Sequence, residues 1–307
     1  MHKMPEQRWR LLVVLVVLAL CLSVAPPEET ASDTLDHYSF LPYISSAEHY
    51  SFFVAGHTYG APGAEFSGPP PPFRSFFPQI NSLRPVFGVF TGDTVPLGTP
   101  ANWDAVDNAL AELTPPVHFV VGNHDMTDRN LFVSRYGPTY YSFEYAGDLF
   151  VVLDGELDSC SILGEQLVFL QQTLGETNAQ NVFVFVHKLI WIVVDTPYYV
   201  LAGHINHYPG YNFESNFWTE VEPLLRNLDA QVYVIAGDVG VSYAMPMFYQ
   251  SHENVNFVAS GMGGAAEENF LIVDVNPQGV HMRAQRLDDQ PLSYGTIEAY
   301  DLAHYGQ

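Results

Sequence analysis

Five short apolar runs rich in Val and Phe recur along the chain, at 51–55, 86–91, 117–121, 181–186 and 231–236. Each stops at a turn that holds Gly or His. β-Branched and aromatic residues in runs this short favour extended backbone over helix. Between the runs, apolar residues return at helical spacing: Trp103, Val106, Leu110 and Leu113; Leu167, Leu170 and Leu174; Phe217, Val221, Leu224 and Leu228. Pro223 interrupts the last of these patterns and predicts a split there. Further strand-like runs lie at 139–145, 149–153, 255–259, 270–275 and 280–283. Strands outnumber helices, and both are spread over the whole chain. That distribution predicts an α/β fold of two packed mixed β-sheets flanked by helices. Hydrophobic residues make up 48% of the chain, enough for a large core, which excludes a wholly disordered polypeptide. Two stretches, 61–83 and 189–211, read as long loops, where function often resides.

The first 30 residues differ from the rest. His2, Lys3, Arg8 and Arg10 form a basic head, 11–24 carries no charge, and Pro26, Pro27, Glu28 and Glu29 end the run. This is the layout of a secretory signal. The run is short for a membrane span, which takes about 20 apolar residues. The expected division is a signal peptide or N-terminal anchor at 1–25, a linker at 26–47, one domain at 48–286 and an acidic C-terminal tail at 287–307. The product is then secreted, periplasmic or anchored on the outer face, with membrane contact only through its N-terminal segment. Of the two cysteines, Cys21 falls in the signal run, so Cys160 alone belongs to the domain and no disulfide framework is expected there. The net charge is −23, from 34 acidic and 11 basic residues, a field that repels nucleic-acid backbones. No nucleic-acid partner is expected.

The chemistry-bearing residues sit where strands stop. Gly122-Asn123-His124-Asp125 follows the run 117–121, Gly92-Asp93 follows 86–91, and His187 follows 181–186. Strand ends are where α/β sheets gather ligands. Carboxylate and amide oxygens with an imidazole nitrogen suit Zn, Mn or Fe.

These motifs resemble those of the calcineurin-like metallophosphoesterases. The flanking segments at 151–156 and 257–264 are also similar, so the likeness spans about 48–286. It implies a two-sheet sandwich with one or two metal ions at an edge and hydrolysis of a small phosphate ester by a metal-activated water. Asp93 would bridge two ions, and Asn123 and His187 would hold the second. His124 would bind no metal but contact the phosphate or protonate the leaving group.

Two motifs depart from the family pattern. The first normally reads Asp-x-His; here His57 stands at the Asp position and Tyr59 at the His position. The last normally reads Gly-His-x-His; here Asp238 and Gly240 take the two His positions, and Gly240 brings no ligand. An Asp and a His have thus exchanged places. The second-ion set becomes Asp93, Asn123, His187 and Asp238, whose oxygens shift preference toward Mn, Mg or Fe. The first-ion set keeps Asp93 and gains His57. Tyr59 reads either as a phenolate ligand of ferric iron or as a hydrogen-bonding wall of the pocket. Lys188 reads as a contact for an anionic substrate or as a surface lysine. His204 and His207, three apart in the second long loop, offer a replacement ligand.

The expected function is a metal-dependent phosphoric mono- or diester hydrolase acting outside the cytoplasm. The alternative is a non-catalytic binding module that kept the scaffold and lost the first metal site.

Overall fold

The computed structural model describes residues 49–63, 67–205, 211–242 and 244–306. The N-terminal signal or anchor and the linker lie outside these residues, as does His207. In chain order the strands are β1 (Tyr50–Ala55), β2 (Gly88–Thr91), β3 (Val117–Val120), β4 (Tyr141–Tyr145), β5 (Asp148–Val152), β6 (Asn181–Val186), β7 (Gln231–Ala236), β8 (Met247–His252), β9 (Val255–Ser260), β10 (Asn269–Asn276) and β11 (Gly279–Arg286). The helices are α1 (Pro71–Arg74), α2 (Phe77–Leu83), α3 (Pro100–Leu110), α4 (Arg129–Tyr136), α5 (Gly164–Glu176), α6 (Glu222–Arg226) and α7 (Leu302–Tyr305).

The strands form two mixed sheets, in the orders β11-β10-β1-β2-β3 and β4-β5-β6-β7-β9-β8. β1, β2 and β3 run parallel, as do β5, β6, β7 and β9, while the outer pairs are antiparallel. This is the expected pair of mixed sheets with flanking helices. The period-two alternation of a strand decides which side chain goes where. Phe52 and Val54 of β1 enter the core between the sheets, and Phe52 meets Phe150 and Phe183 edge-on at 5.5 and 5.1 Å. Phe53 and Ala55 point the other way, into a second core with Phe73, Phe77, Trp103 and Val106 from α1, α2 and α3. Each large side chain buried this way contributes roughly 1.5–3 kcal/mol relative to exposure.

Local chemistry sets the helix boundaries. Thr99 caps α3 through its hydroxyl, which accepts the Asn102 N–H at 3.3 Å, and Pro100 at the first position sacrifices no hydrogen bond. At Pro223 the pattern changes pitch: Phe217–Val221 is a π-helical turn, and Pro223 is the second residue of α6. The stretch 61–83, expected as a loop, carries α1 and α2, because Phe73, Phe77 and Ile80 bury against the sheet. Within 287–306, expected as a tail, residues 297–305 pack onto the outer edge of β8. Ile297, Tyr300 and Tyr305 are buried; the Tyr249 N–H donates to the Tyr300 carbonyl, and the Tyr305 hydroxyl donates to Met247 O at 2.7 Å. An uncovered edge strand would leave backbone groups unpaired, and this segment supplies partners.

Candidate metal centre

His57, Asp93, Asn123, His187 and Asp238 follow β1, β2, β3, β6 and β7, each just past the C-terminal end of a parallel strand. Both sheets therefore deliver their loops to one rim. Backbone contacts lock the rim together. His187 Nδ1 donates to Thr91 O at 2.9 Å, and the N–H groups of Gly237 and Asp238 both donate to His187 O, at 2.9 and 3.0 Å. Asp125 stitches the loop after β3 to the loop after β2: one oxygen accepts the N–H groups of Thr94 and Val95, the other that of Gly122. Gly122 is required by the close approach, since a Cβ there would lie 2.2 Å from Asp93 Oδ1. His57 and Asp93 both hold left-handed backbones, at φ 54° and 51°, an uncommon conformation for such residues and one that clusters at functional sites.

The ligand atoms of Asp93, His187 and Asp238 lie within 4.8 Å of one another, and all three residues are buried. His124 N–H donates to Asp93 Oδ1 at 3.0 Å, which leaves Oδ2 facing inward, 3.4 Å from His187 Nε2 and 3.5 Å from His57 Nε2. Asp238 Oδ1 lies 3.9 Å from His187 Nε2. Because Nδ1 of His187 is spent on Thr91, Nε2 is the nitrogen that faces inward and the one a metal ligand would use once its proton is displaced. His187 Nε2 and Asp238 Oδ1 are buried without a hydrogen-bond partner. Unpaired buried polar atoms cost about 1–3 kcal/mol each. His57 carries two as well, but only those of His187 and Asp238 belong to a set of three converging ligands, and that convergence fits a cation between them.

The charges agree. Burial lowers the basicity of His187, but Asp93 and Asp238 outweigh it and raise its pKa to about 10. For Asp93 burial acts upward, yet the His187 and His57 imidazoles hold it below the usual carboxylate range. Burial pushes Asp238 up to about 6 against the pull of His187. Burial lowers His57 to about 4 against the pull of Asp93. Without an ion, a proton on His187 balances part of the carboxylate charge.

Asn123 lies half-buried in the same loop, one residue before His124. His124 Nδ1 donates to Pro96 O at 2.8 Å, and its Nε2 lies 3.5 Å from the Tyr59 hydroxyl. Tyr59 is buried, its ring 4.4 Å from that of His57. Burial and the Asp93 and Asp238 carboxylates raise its hydroxyl far above the usual range, so without a cation beside it Tyr59 is a neutral wall of the pocket. Lys188 is not on the surface. It is buried, ion-paired to Glu156 at 2.7 Å, with its ammonium 5.7 Å from the Tyr211 ring centre. His204 packs its ring on Tyr305 at 5.3 Å and is not among the three clustered ligands. The sequence reading missed Asp125 and Glu156 as builders of the rim. Glu156 also follows a strand end, that of β5, and this position was the available signal.

The family model for the calcineurin-like phosphoesterases matches residues 66–241, more than half of the chain. No curated protein matches the chain. Similar solved structures include PhoD, at 11% identity over 83% of this chain and 74% of that one, with a TM-score of 0.49. A predicted phosphoesterase from Streptococcus pneumoniae has 10% identity over 81% and 96%, with a TM-score of 0.39. A zinc-complexed Vps29 from Entamoeba histolytica has 10% identity over 77% and 99%, with a TM-score of 0.33.

Proposed function

The chain belongs to the calcineurin-like phosphoesterase family, and from that premise we propose that it is a metal-dependent hydrolase of phosphoric mono- or diesters. The observation that carries the reading is the buried convergence of Asp93, His187 and Asp238, with the inward atoms of His187 and Asp238 left unpaired. Those residues, with Asn123, would hold the ion. A divalent or ferric ion there supplies Lewis acidity toward phosphoryl oxygens and lowers the pKa of water. The oxygen-rich set favours Mn, Mg or Fe over Zn.

The neighbouring residues supply proton chemistry and orientation. The Pro96 carbonyl fixes His124 by Nδ1, so Nε2 is the working nitrogen. Protonated there, His124 donates to the oxygen of the departing alcohol. Tyr59 stands beside it and orients the ring or a phosphoryl oxygen. The Lys188 ammonium is paired with Glu156, so its part is to hold the rim rather than to meet substrate. The N-terminal layout supports action outside the cytoplasm. Among the described residues no helix is long and apolar enough to cross a membrane.

The test is turnover of nitrophenyl phosphate and bis(nitrophenyl) phosphate by the purified chain, with and without Mn²⁺. Ion-dependent turnover is expected. The exchanged residues at 57 and 238 favour a second reading, a non-catalytic binding module. An ion-bound protein with no turnover on any phosphate ester would select it.

A further inference from the structure

The rim offers its ligands unevenly. We propose that the centre holds one ion, on the His187 side, and that the His57 imidazole takes the place beside Asp93 where a second ion would sit. The inference rests on the reading of Asp93, Asn123, His187 and Asp238 as an ion site.

The second place needs at least three protein ligands to hold an ion, as catalytic sites generally do. Asp93 and His57 stand there, with Nε2 of His57 3.5 Å from Asp93 Oδ2. Among the described residues, no other His, Cys, Asp or Glu completes a set of three with them. The Tyr59 hydroxyl is turned to His124 Nε2 at 3.5 Å. The remaining position is Gly240, and the structure leaves no room for a side chain on it. A Cβ there would lie 2.5 Å from Gly261 O and 2.8 Å from Met262 N, and the backbone is left-handed at φ 81°. The loop is pinned from both ends: Gly240 N–H donates to Met245 O at 2.8 Å, and Ala265 N–H donates to Gly240 O at 3.0 Å. The close approach of the loops after β7 and β9 thus leaves no room for the side chain that would supply a third ligand from residue 240.

His57 itself is fully buried, and both ring nitrogens lack a hydrogen-bond partner. Its ring packs against Tyr59 and aims Nε2 at the one oxygen of Asp93 not held by the His124 N–H. At 3.5 Å the ring stands against that oxygen without a hydrogen bond to it, and so limits how the Asp93 carboxylate can turn. His57 is therefore a positioning residue, and Asp93 a ligand of one ion only.

The experiment is titration of the purified chain with Mn²⁺ by calorimetry, with the electron paramagnetic resonance spectrum recorded at saturation. One ion per chain and the spectrum of an isolated Mn²⁺ are expected. Two ions per chain, or the spectrum of an exchange-coupled pair, would overturn the inference and leave the hydrolase reading standing. No bound ion would remove that reading and the inference with it. His57→Asn tolerates the left-handed backbone. It should still bind one ion, with affinity lowered by about 10–100-fold at most, the range for a group that orients a ligand. Complete loss of the ion in a folded His57→Asn protein would make His57 a ligand and overturn the inference. The wild-type count decides the matter if that variant does not fold.

Discussion

The two halves of the rim share a construction and differ in chemistry. On the His187 side, a carboxylate from each sheet and an imidazole with Nε2 turned inward converge, each residue held by a backbone hydrogen bond. On the His57 side, an imidazole faces the shared Asp93, a phenol packs on that imidazole and turns its hydroxyl to His124, and a glycine stands at the last motif position. Both sides are built from turns at the ends of parallel strands, and the shared Asp93, like His57, holds a left-handed backbone. The difference teaches that scaffold and ligand set are separable: the first identifies the family, the second sets what the site can hold.

The largest expected effect removes the group both halves share. Asp93→Asn keeps the shape and accepts φ 51°, since Asn is enriched in the left-handed region. It should abolish ion uptake, measured by elemental analysis after dialysis, while His57→Asn retains the ion. Equal ion content in Asp93→Asn and the parent would break the comparison at its centre.

Next comes His124, which on the proposed reading neighbours the ion ligands without serving as one. His124→Gln should keep its ion and lose about 10²–10⁴ in turnover, the usual worth of a general acid. The loss should shrink for nitrophenyl esters, whose leaving groups need little protonation. An equal loss across leaving groups would limit His124 to holding phosphate.

Much of this was legible before the fold was seen. The Val- and Phe-rich runs at 181–186 and 231–236 coincide with β6 and β7, because strands buried on both faces read as unbroken apolar runs. β8 escaped because Met-Phe-Tyr-Gln-Ser-His mixes apolar and polar residues on an outer strand. α1 and α2 escaped because a cluster of prolines reads as loop, although proline at the start of a helix costs nothing. In the site, Asp93, Asn123 and His187 stood out from their strand-end positions. The burial of Lys188 did not, since its partner Glu156 is 32 residues away and meets it only through the pairing of β5 with β6. Nor could the crowding at Gly240 be read, because the atoms that crowd it belong to the loop after β9.

A smaller effect sharpens the charge side of the comparison. In the ion-free protein His187 holds its proton up to about pH 10 and Asp238 holds one up to about pH 6. Both must be released before they can bind a cation, so affinity is lost as pH falls. Between pH 6 and 10 each ion displaces one proton, and affinity should rise about tenfold per pH unit. Below pH 6 two protons are displaced, and the slope should approach about a hundredfold per unit. Mn²⁺ affinities measured from pH 5 to 8 check this, with a break near 6. A flat profile from 6 to 8 would mean that His187 carries no proton to displace.

The smallest expected change in ion binding is none at all, and it comes from the substitution that most directly imitates the family pattern. Gly240→His restores an imidazole to the position where the last motif has lost one. If the His57 side lacked only that ligand, the variant would gain a second ion. The geometry points the other way. A side chain there must accept φ 81°, which costs about 1–3 kcal/mol for a residue other than glycine. Its Cβ must also displace the Gly261 carbonyl from 2.5 Å, and that carbonyl belongs to backbone with no rotamer to yield. The expected result is an unchanged count of one ion and a lower melting temperature. In a domain of this size each kcal/mol lowers it by about 2–4 °C. Calorimetric stoichiometry and a thermal melt on the same preparation read both outcomes. A second ion without loss of stability would show that the loops after β7 and β9 part readily, and that residue 240 alone separates the two halves. A destabilised protein with one ion would show that the asymmetry is built into the backbone, where no single substitution reverses it.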